Sequence, residues 1–94
     1  MPVPDCTIST ITEPSATDSF EHGKSVDVTW TINSMFYCML WEVNSIKLYE
    51  SGSYHSTLWS GSMNVTDLHK TVTLPSTNLT YGDIYTIKIT YGVA

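Results

Sequence analysis

Apolar and polar residues alternate in two stretches of the chain, as they do in strands with one buried face. In residues 25–32 the apolar positions are Val26, Val28, Trp30 and Ile32. In residues 83–91 they are Tyr85, Ile87, Ile89 and Tyr91. Successive side chains of a strand point to opposite faces, so a period of two places each set on one side. Both stretches are therefore predicted to be strands that cover a core, with Trp30 as a structural residue.

Four further strands are predicted between turn residues. They cover residues 6–12, 36–50 (either continuous or interrupted), 54–60 and 69–74. Leu58 is expected to face away from Thr57 and Trp59, whereas Val72 and Leu74 are expected to point inward. Glycine and proline turns recur about every ten residues, and short strands at this spacing are typical of a sandwich or barrel. No helical stretch with capping signals is predicted.

Residues 79–89 have the sequence features of a tyrosine corner. A leucine, a glycine turn and Tyr85 at the start of an alternating strand follow one another here. In this motif the tyrosine hydroxyl bonds back to the backbone of the preceding loop. Tyr85 is therefore interpreted as a structural residue rather than a binding residue.

Four segments carry a family resemblance, and they are residues 11–14, 23–30, 45–49 and 74–89. They are similar to the Ser-Thr-rich, glycosylphosphatidylinositol-anchored family, whose domain also begins the yeast cell-wall glucan-assembly proteins of the Kre/Knh type. The resemblance extends over residues 8–91. It implies an antiparallel sandwich of the immunoglobulin or fibronectin type III kind on a secreted or cell-surface protein, without catalytic residues. Because fungal members are linked to wall polysaccharide, it also implies a wall or surface glycan as a partner.

Length and charge exclude several classes of partner. The 94 residues suffice for a single domain, taken as residues 1–94. The chain has four lysines and no arginine, nine aspartates and glutamates in total, and a net charge of −5. Nucleic acids and anionic membranes bind basic surfaces, so neither is expected as a partner. No run of about 20 apolar residues occurs, so no membrane insertion is expected.

The cysteines and the glycosylation sequons indicate where the protein is located relative to the cell. Cys6 and Cys38 form an even pair without metal-ligand spacing, and a disulfide or two buried thiols are both open interpretations. Asn64 and Asn78 each begin an Asn-x-Thr sequon, so both are candidate glycosylation sites. Together with the acidic, hydroxyl-rich composition, these features favour a secreted or cell-surface protein.

The segment 35–43 is apolar where a short polar connection is expected, and such a run must be buried or must contact a partner. In one interpretation it is a long strand with Phe36, Cys38 and Leu40 facing the core. In the other it forms a contact surface for protein or glycan, because aromatic residues and methionine are enriched at interface centres. The candidate binding residues are then Tyr37, Met39, Trp41 and, farther along the chain, Trp59.

The last predicted strand, 83–91, lacks an expected neighbour. A seven-stranded sandwich of this kind needs one more strand, and the sequence predicts six. The sequence is then truncated after Ala94, or the fold is a six-stranded variant, or a strand from elsewhere completes it. Donation of the N-terminal segment, residues 1–12, to another copy would give a head-to-tail filament.

No catalytic, metal or cofactor site is predicted. The three histidines are not at metal-ligand spacing, and the carboxylates include no distinguished pair of the kind that glycoside hydrolysis needs. Nucleophile-elbow and phosphate-loop motifs are missing from the sequence. The sequence therefore predicts a non-catalytic structural or adhesive module that binds other protein chains, including copies of itself. The alternative is a carbohydrate-binding accessory domain of a larger secreted protein or enzyme.

Overall fold

The computed structural model describes residues 5–15 and 19–94, and they form two packed antiparallel sheets. The strands are β1 (Ile8–Glu13), β2 (Ser25–Ile32), β3 (Trp41–Glu50), β4 (Ser53–Asn64), β5 (His69–Thr73) and β6 (Tyr85–Val93). A four-residue helix, α1 (Met35–Cys38), connects β2 to β3, and a 3-10 turn (Val65–Asp67) connects β4 to β5. The predicted all-β sandwich is confirmed.

The strand order of the described residues fits an immunoglobulin-like sandwich. One sheet has the order β1-β2-β5 and the other β4-β3-β6. These positions correspond to strands A-B-E and C′-C-F of the immunoglobulin arrangement, in which strand G pairs with the outer edge of F. Within the described part of the chain, no strand occupies the G position beside β6.

Alternating residues of β2 supply the centre of the core. Val28 and Trp30 are only 0% and 1% exposed, and Val26 is buried as well. The Trp30 indole N–H donates a hydrogen bond to the carbonyl oxygen of Val65 at 2.9 Å, so its polar atom is satisfied inside the core. The alternation predicted for this strand is confirmed. In β6 the apolar face is half-buried and the polar face exposed, also as predicted.

A β-bulge changes the expected orientation of side chains in β4. Ile46 lies opposite Trp59 in the β3–β4 pair, but the next residue, Lys47, lies opposite Thr57. Leu58 is therefore the extra residue of a bulge, which resets the alternation. Both Leu58 and Trp59 pack against the core, so the prediction that they face opposite sides is wrong.

The predicted strand 36–50 is divided into a helix and a strand. The side-chain oxygen of Ser34 accepts a hydrogen bond from the Tyr37 backbone N–H at 3.3 Å, which caps the start of α1. Phe36 and Leu40 are 71% and 69% exposed, and only Cys38 of the three expected core residues is buried. The interpretation of this segment as one long core strand is therefore wrong.

The N-terminal segment belongs to its own domain. Residues 1–4 lie outside the described residues, but β1 pairs antiparallel with β2 of the same chain. Cys6 forms a disulfide with Cys38, which resolves the two interpretations of these cysteines. Donation of the segment 1–12 to another copy would require β1 to leave β2, and this self-assembly remains a prediction.

The predicted tyrosine corner is confirmed at the start of β6. The Thr80 backbone N–H donates to the Tyr85 hydroxyl at 2.7 Å, and this hydroxyl donates to Glu50 Oε2 at 2.9 Å. Gly82 lies between Thr80 and Tyr85 in the chain and has a φ of 87°, a conformation that glycine adopts without strain. The corner therefore fixes loop 79–84 against the ends of β3 and β6.

Replacing Tyr85 with phenylalanine is expected to lower the free energy of unfolding by about 1 kcal/mol, because it removes both hydrogen bonds and leaves the Thr80 N–H unsatisfied. Urea unfolding followed by tryptophan fluorescence would measure the change. Tyr54→Phe is the matched control, because the Tyr54 hydroxyl bonds only to Thr57 on an exposed surface. Equal losses in the two variants would contradict a structural role for the corner.

Candidate functional site

The first candidate surface is a group of exposed apolar side chains at one end of the sandwich. We call this group the apolar tip, and it consists of Phe36, Met39, Leu40 and Val93. Each is between 59% and 71% exposed. They line a shallow depression of about 340 Å³ together with Asp5, Tyr37 and Trp41. Adjacent exposed apolar residues of this size are typical of interaction sites rather than of free surface.

Three connections hold the apolar tip in place. The Cys6–Cys38 disulfide ties α1 to the N-terminal segment, with 4.8 Å between the two Cα atoms. Asn33 braces the same junction, because its side chain accepts a bond from the Thr7 N–H and donates one to the Asp5 carbonyl, both at 2.9 Å. On the other side, the Ala94 N–H donates to the Leu40 carbonyl at 2.9 Å. The tip is therefore a fixed surface.

The structure brings three of the four predicted binding residues together. Tyr37, Met39 and Trp41 line the depression at the tip, although only Met39 is exposed. Trp41 is half-buried, with its ring 5.9 Å from that of Tyr91. Trp59 lies elsewhere, on β4, where the Lys70 ammonium is 5.4 Å from the centre of its ring.

The sequence analysis missed the most exposed members of the tip. Phe36 and Leu40 face the core in the strand interpretation and are not among the contact residues of the other interpretation, and Val93 lies beyond the predicted end of the last strand. A local signal was present: Ser34 is a favourable helix N-cap directly before the apolar run. A helix after Ser34 would have removed the expectation that alternate residues of the segment face inward.

The second candidate surface is a groove between β1 and β6, which we call the open groove. Its volume is about 830 Å³. Three core residues, Val26, Leu48 and Leu74, contribute to its lining, together with Ile11 of β1 and Ile87 of β6. The groove lies along the outer edge of β6, which pairs with no strand among the described residues, and its floor reaches the edge of the buried core.

One end of the open groove is closed and the other is open. Near the apolar tip, the Ile8 backbone N–H donates to the Tyr91 hydroxyl at 3.1 Å and joins β1 to β6. At the opposite end, residues 79–84 form the mouth, where Tyr81 and Ile84 are fully and largely exposed. An extended ligand can therefore enter from the mouth and lie along β6 in the direction of Tyr91.

Two carboxyl groups interact at the mouth of the groove. A hydrogen bond from Asp83, with a second from Tyr85, holds the pKa of Glu50 below its usual range. The same bond with Glu50 raises the pKa of Asp83, with burial as a smaller cause. The pairing thus favours the ionised form of Glu50 and the neutral form of Asp83.

The predicted glycosylation sites are accessible. Asn64 and Asn78 are both exposed, at the end of β4 and in the loop before the tyrosine corner, and their glycosylation remains a prediction. The Asn78 carbonyl lies 2.6 Å from His55 Nε2. The described residues contain no group of three or more His, Cys, Asp or Glu side chains that could hold a metal ion. Neither helix in the described ranges is long and apolar enough to cross a membrane.

Comparison with known proteins gives no assignment. No family model, no curated protein and no solved structure matches this chain. Both candidate surfaces are apolar and suited to binding a partner.

Replacing Cys6 and Cys38 together with serine is expected to lower the free energy of unfolding by about 3–4 kcal/mol, because the disulfide closes a loop of about 30 residues in the unfolded chain. Urea unfolding would measure the loss, and hydrogen exchange would show faster exchange in α1. Wild-type protein in a reducing agent should reproduce both effects. An unfolding midpoint that does not respond to reduction would contradict this contribution.

The two carboxyl groups are expected to titrate with opposite shifts, Glu50 below its usual pKa and Asp83 above it. Folding stability should rise with pH as Glu50 ionises, because its pKa is lower in the folded than in the unfolded state. It should fall with pH as Asp83 ionises, because its pKa is higher in the folded state. Carboxyl-carbon NMR titration would resolve the two groups, and Asp83→Ala should return the Glu50 pKa towards its usual value. A Glu50 pKa that does not change in Asp83→Ala would contradict the pairing.

Proposed function

We propose that this chain is a non-catalytic structural or adhesive module of a secreted or cell-surface protein, and that it binds another protein chain through the apolar tip. The observation that carries the proposal is the exposure of Phe36, Met39, Leu40 and Val93 around one depression. Aromatic residues and methionine are enriched at interface centres, where they are surrounded by polar residues that exclude water.

The energetics of the tip support a specific contact. Full burial of a Phe, Leu or Met side chain contributes about 1.5–3 kcal/mol, so two such residues are worth a hundredfold or more in affinity. The Cys6–Cys38 disulfide and the Asn33 hydrogen bonds fix the tip before binding. A fixed surface loses little conformational entropy on association, and this favours binding.

Three features support an extracellular setting. Disulfides persist in oxidising compartments, and the Cys6–Cys38 bond fits a small domain of this kind. Both sequon asparagines, Asn64 and Asn78, lie on the exposed surface, where a glycan has room. The similarity to the Ser-Thr-rich and Kre/Knh-type domains supports the same location, and with it a wall or surface glycan as a further partner.

A second candidate function, carbohydrate binding by an accessory domain, is favoured by a different surface. On the outer face of the β4-β3-β6 sheet, Lys47 and Lys88 lie opposite each other. Each ammonium lies over a tyrosine ring, Lys88 at 4.2 Å from the centre of Tyr49 and Lys47 at 5.9 Å from that of Tyr54. Cations beside tyrosine faces suit an acidic sugar. The tryptophans do not support this function, because none of the three is exposed.

The double substitution Phe36→Ser and Leu40→Ser is expected to reduce binding at least tenfold, because it removes two of the four tip residues without changing the core. The measurement is adhesion of protein-coated fluorescent beads to cells of the source organism, together with a glycan array. Tyr54→Ser is the matched control, since Tyr54 is 57% exposed and lies outside the tip. Loss with Tyr54→Ser but not with the double variant would transfer the function to the carbohydrate surface.

A further inference from the structure

We infer that the open groove is a binding site for an extended strand of a partner chain, which pairs with the free edge of β6 and has apolar residues at alternate positions, no acidic residues and a basic residue at the groove mouth. This inference does not depend on the function proposed for the apolar tip. It uses a different surface on the side of the sandwich.

The backbone of β6 provides the first part of the argument. On one side, β6 pairs with β3 from Tyr85, opposite Glu50, to Val93, opposite Trp41. On its other side no strand pairs with it in the described ranges. An edge strand presents a row of N–H and C=O groups that can pair with another chain, so β6 is a template for one more strand.

The lining of the groove provides the second part. Side chains at alternate positions of a bound strand would all point between the sheets, about 6–7 Å apart. They would contact the core residues Val26, Leu48 and Leu74 and cover Ile87, which is half-buried. A polar side chain at these positions would be desolvated without a partner, which is unfavourable. The occupant must therefore be apolar at alternate residues.

The ends of the groove set the length of the occupant. The contact of Tyr91 with Ile8 closes the inner end, and loop 79–84 forms the mouth. Residues Tyr85 to Ile89 therefore provide the accessible edge, which spans about 14 Å at the rise of a strand. This length accommodates a segment of about five residues, with flanking residues outside the mouth.

Charge determines which chain fits. Asp83 lines the mouth and Glu50 adjoins it, whereas no lysine lines the groove among the described residues. Lys88, the only cation on β6, has its ammonium over Tyr49 of β3, away from the free edge. A basic residue of the occupant would therefore meet acidic side chains at the mouth, where the only other titratable cations nearby in the described residues are His22 and His55.

The same charges disfavour a second copy as the occupant. Each copy carries a net charge of −5, so two copies repel each other. The N-terminal strand of a second copy is already used, because β1 pairs with β2 and Cys6 is bonded to Cys38. The occupant that satisfies the groove is thus a strand from a different chain, with a basic residue at the mouth.

The test uses a fluorescent synthetic peptide of about nine residues, in which valine and threonine alternate and a lysine stands at each end. This length covers the accessible edge of about five residues and leaves flanking residues outside the groove. Fluorescence anisotropy should show saturable binding, and hydrogen exchange should show new protection of β6 amides. A scrambled peptide with adjacent valines and a peptide with glutamates in place of the lysines should each bind at least tenfold more weakly.

Two protein variants locate the site. Ile84→Asp should weaken peptide binding at least tenfold without disturbing the fold, because Ile84 lies at the mouth and is 75% exposed. Phe36→Ser is the matched control: it alters an equally exposed apolar residue of the apolar tip, so peptide binding should be unchanged. If only this control variant lost peptide binding, the peptide would be bound at the tip and the inference would be wrong.

Three other results would overturn the inference. Equal binding of the scrambled peptide would show that strand alternation is not recognised. Dimers in light scattering with protected β6 amides and no peptide would make a second copy the occupant. Protected β6 amides in the monomeric full-length chain, with no binding of added peptide, would make the occupant a segment of the same polypeptide.

Discussion

The dry contact between the central strands of the two sheets, β2 and β3, is the interaction on which the rest of the structure depends. Val28 and Trp30 of β2 pack in one cluster with Val43 and Ile46 of β3, and all four are 0–1% exposed. A domain of this size buries a smaller share of its surface than a larger one, so few residues sustain it. With the centre fixed, β1 and β6 become edges, and the open groove lies between them.

The two candidate surfaces are different consequences of this small core. The apolar tip is outside the sandwich, so its residues can be exposed without opening the core, and a disulfide holds them in place. The open groove is a gap in the sandwich itself, lined by buried Leu48 and Leu74. Filling the groove would complete the fold, whereas covering the tip would leave the fold unchanged.

Local patterns made much of the fold predictable from sequence. The alternation in residues 25–32 and the glycine before Tyr85 are sufficient to place β2, β6 and the tyrosine corner. The bulge at Leu58 was not predictable, because it depends on how β4 pairs with β3 rather than on the residues of β4 alone. The short helix was missed because the apolar run after Ser34 outweighed the capping signal. The groove and the Glu50–Asp83 pair arise from tertiary packing, which a linear pattern does not record.

The position of β6 has a mechanical consequence. It begins at the mouth of the groove with Tyr85 and ends in the apolar tip with Val93, about 27 Å away at the rise of a strand. Partners held at the two ends would pull along this strand, parallel to its neighbour β3. The force would then act parallel to the strands and perpendicular to the hydrogen bonds between β6 and β3. In this shear geometry the hydrogen bonds must break together rather than one after another. Such an arrangement transmits tension between two attached molecules through a single strand.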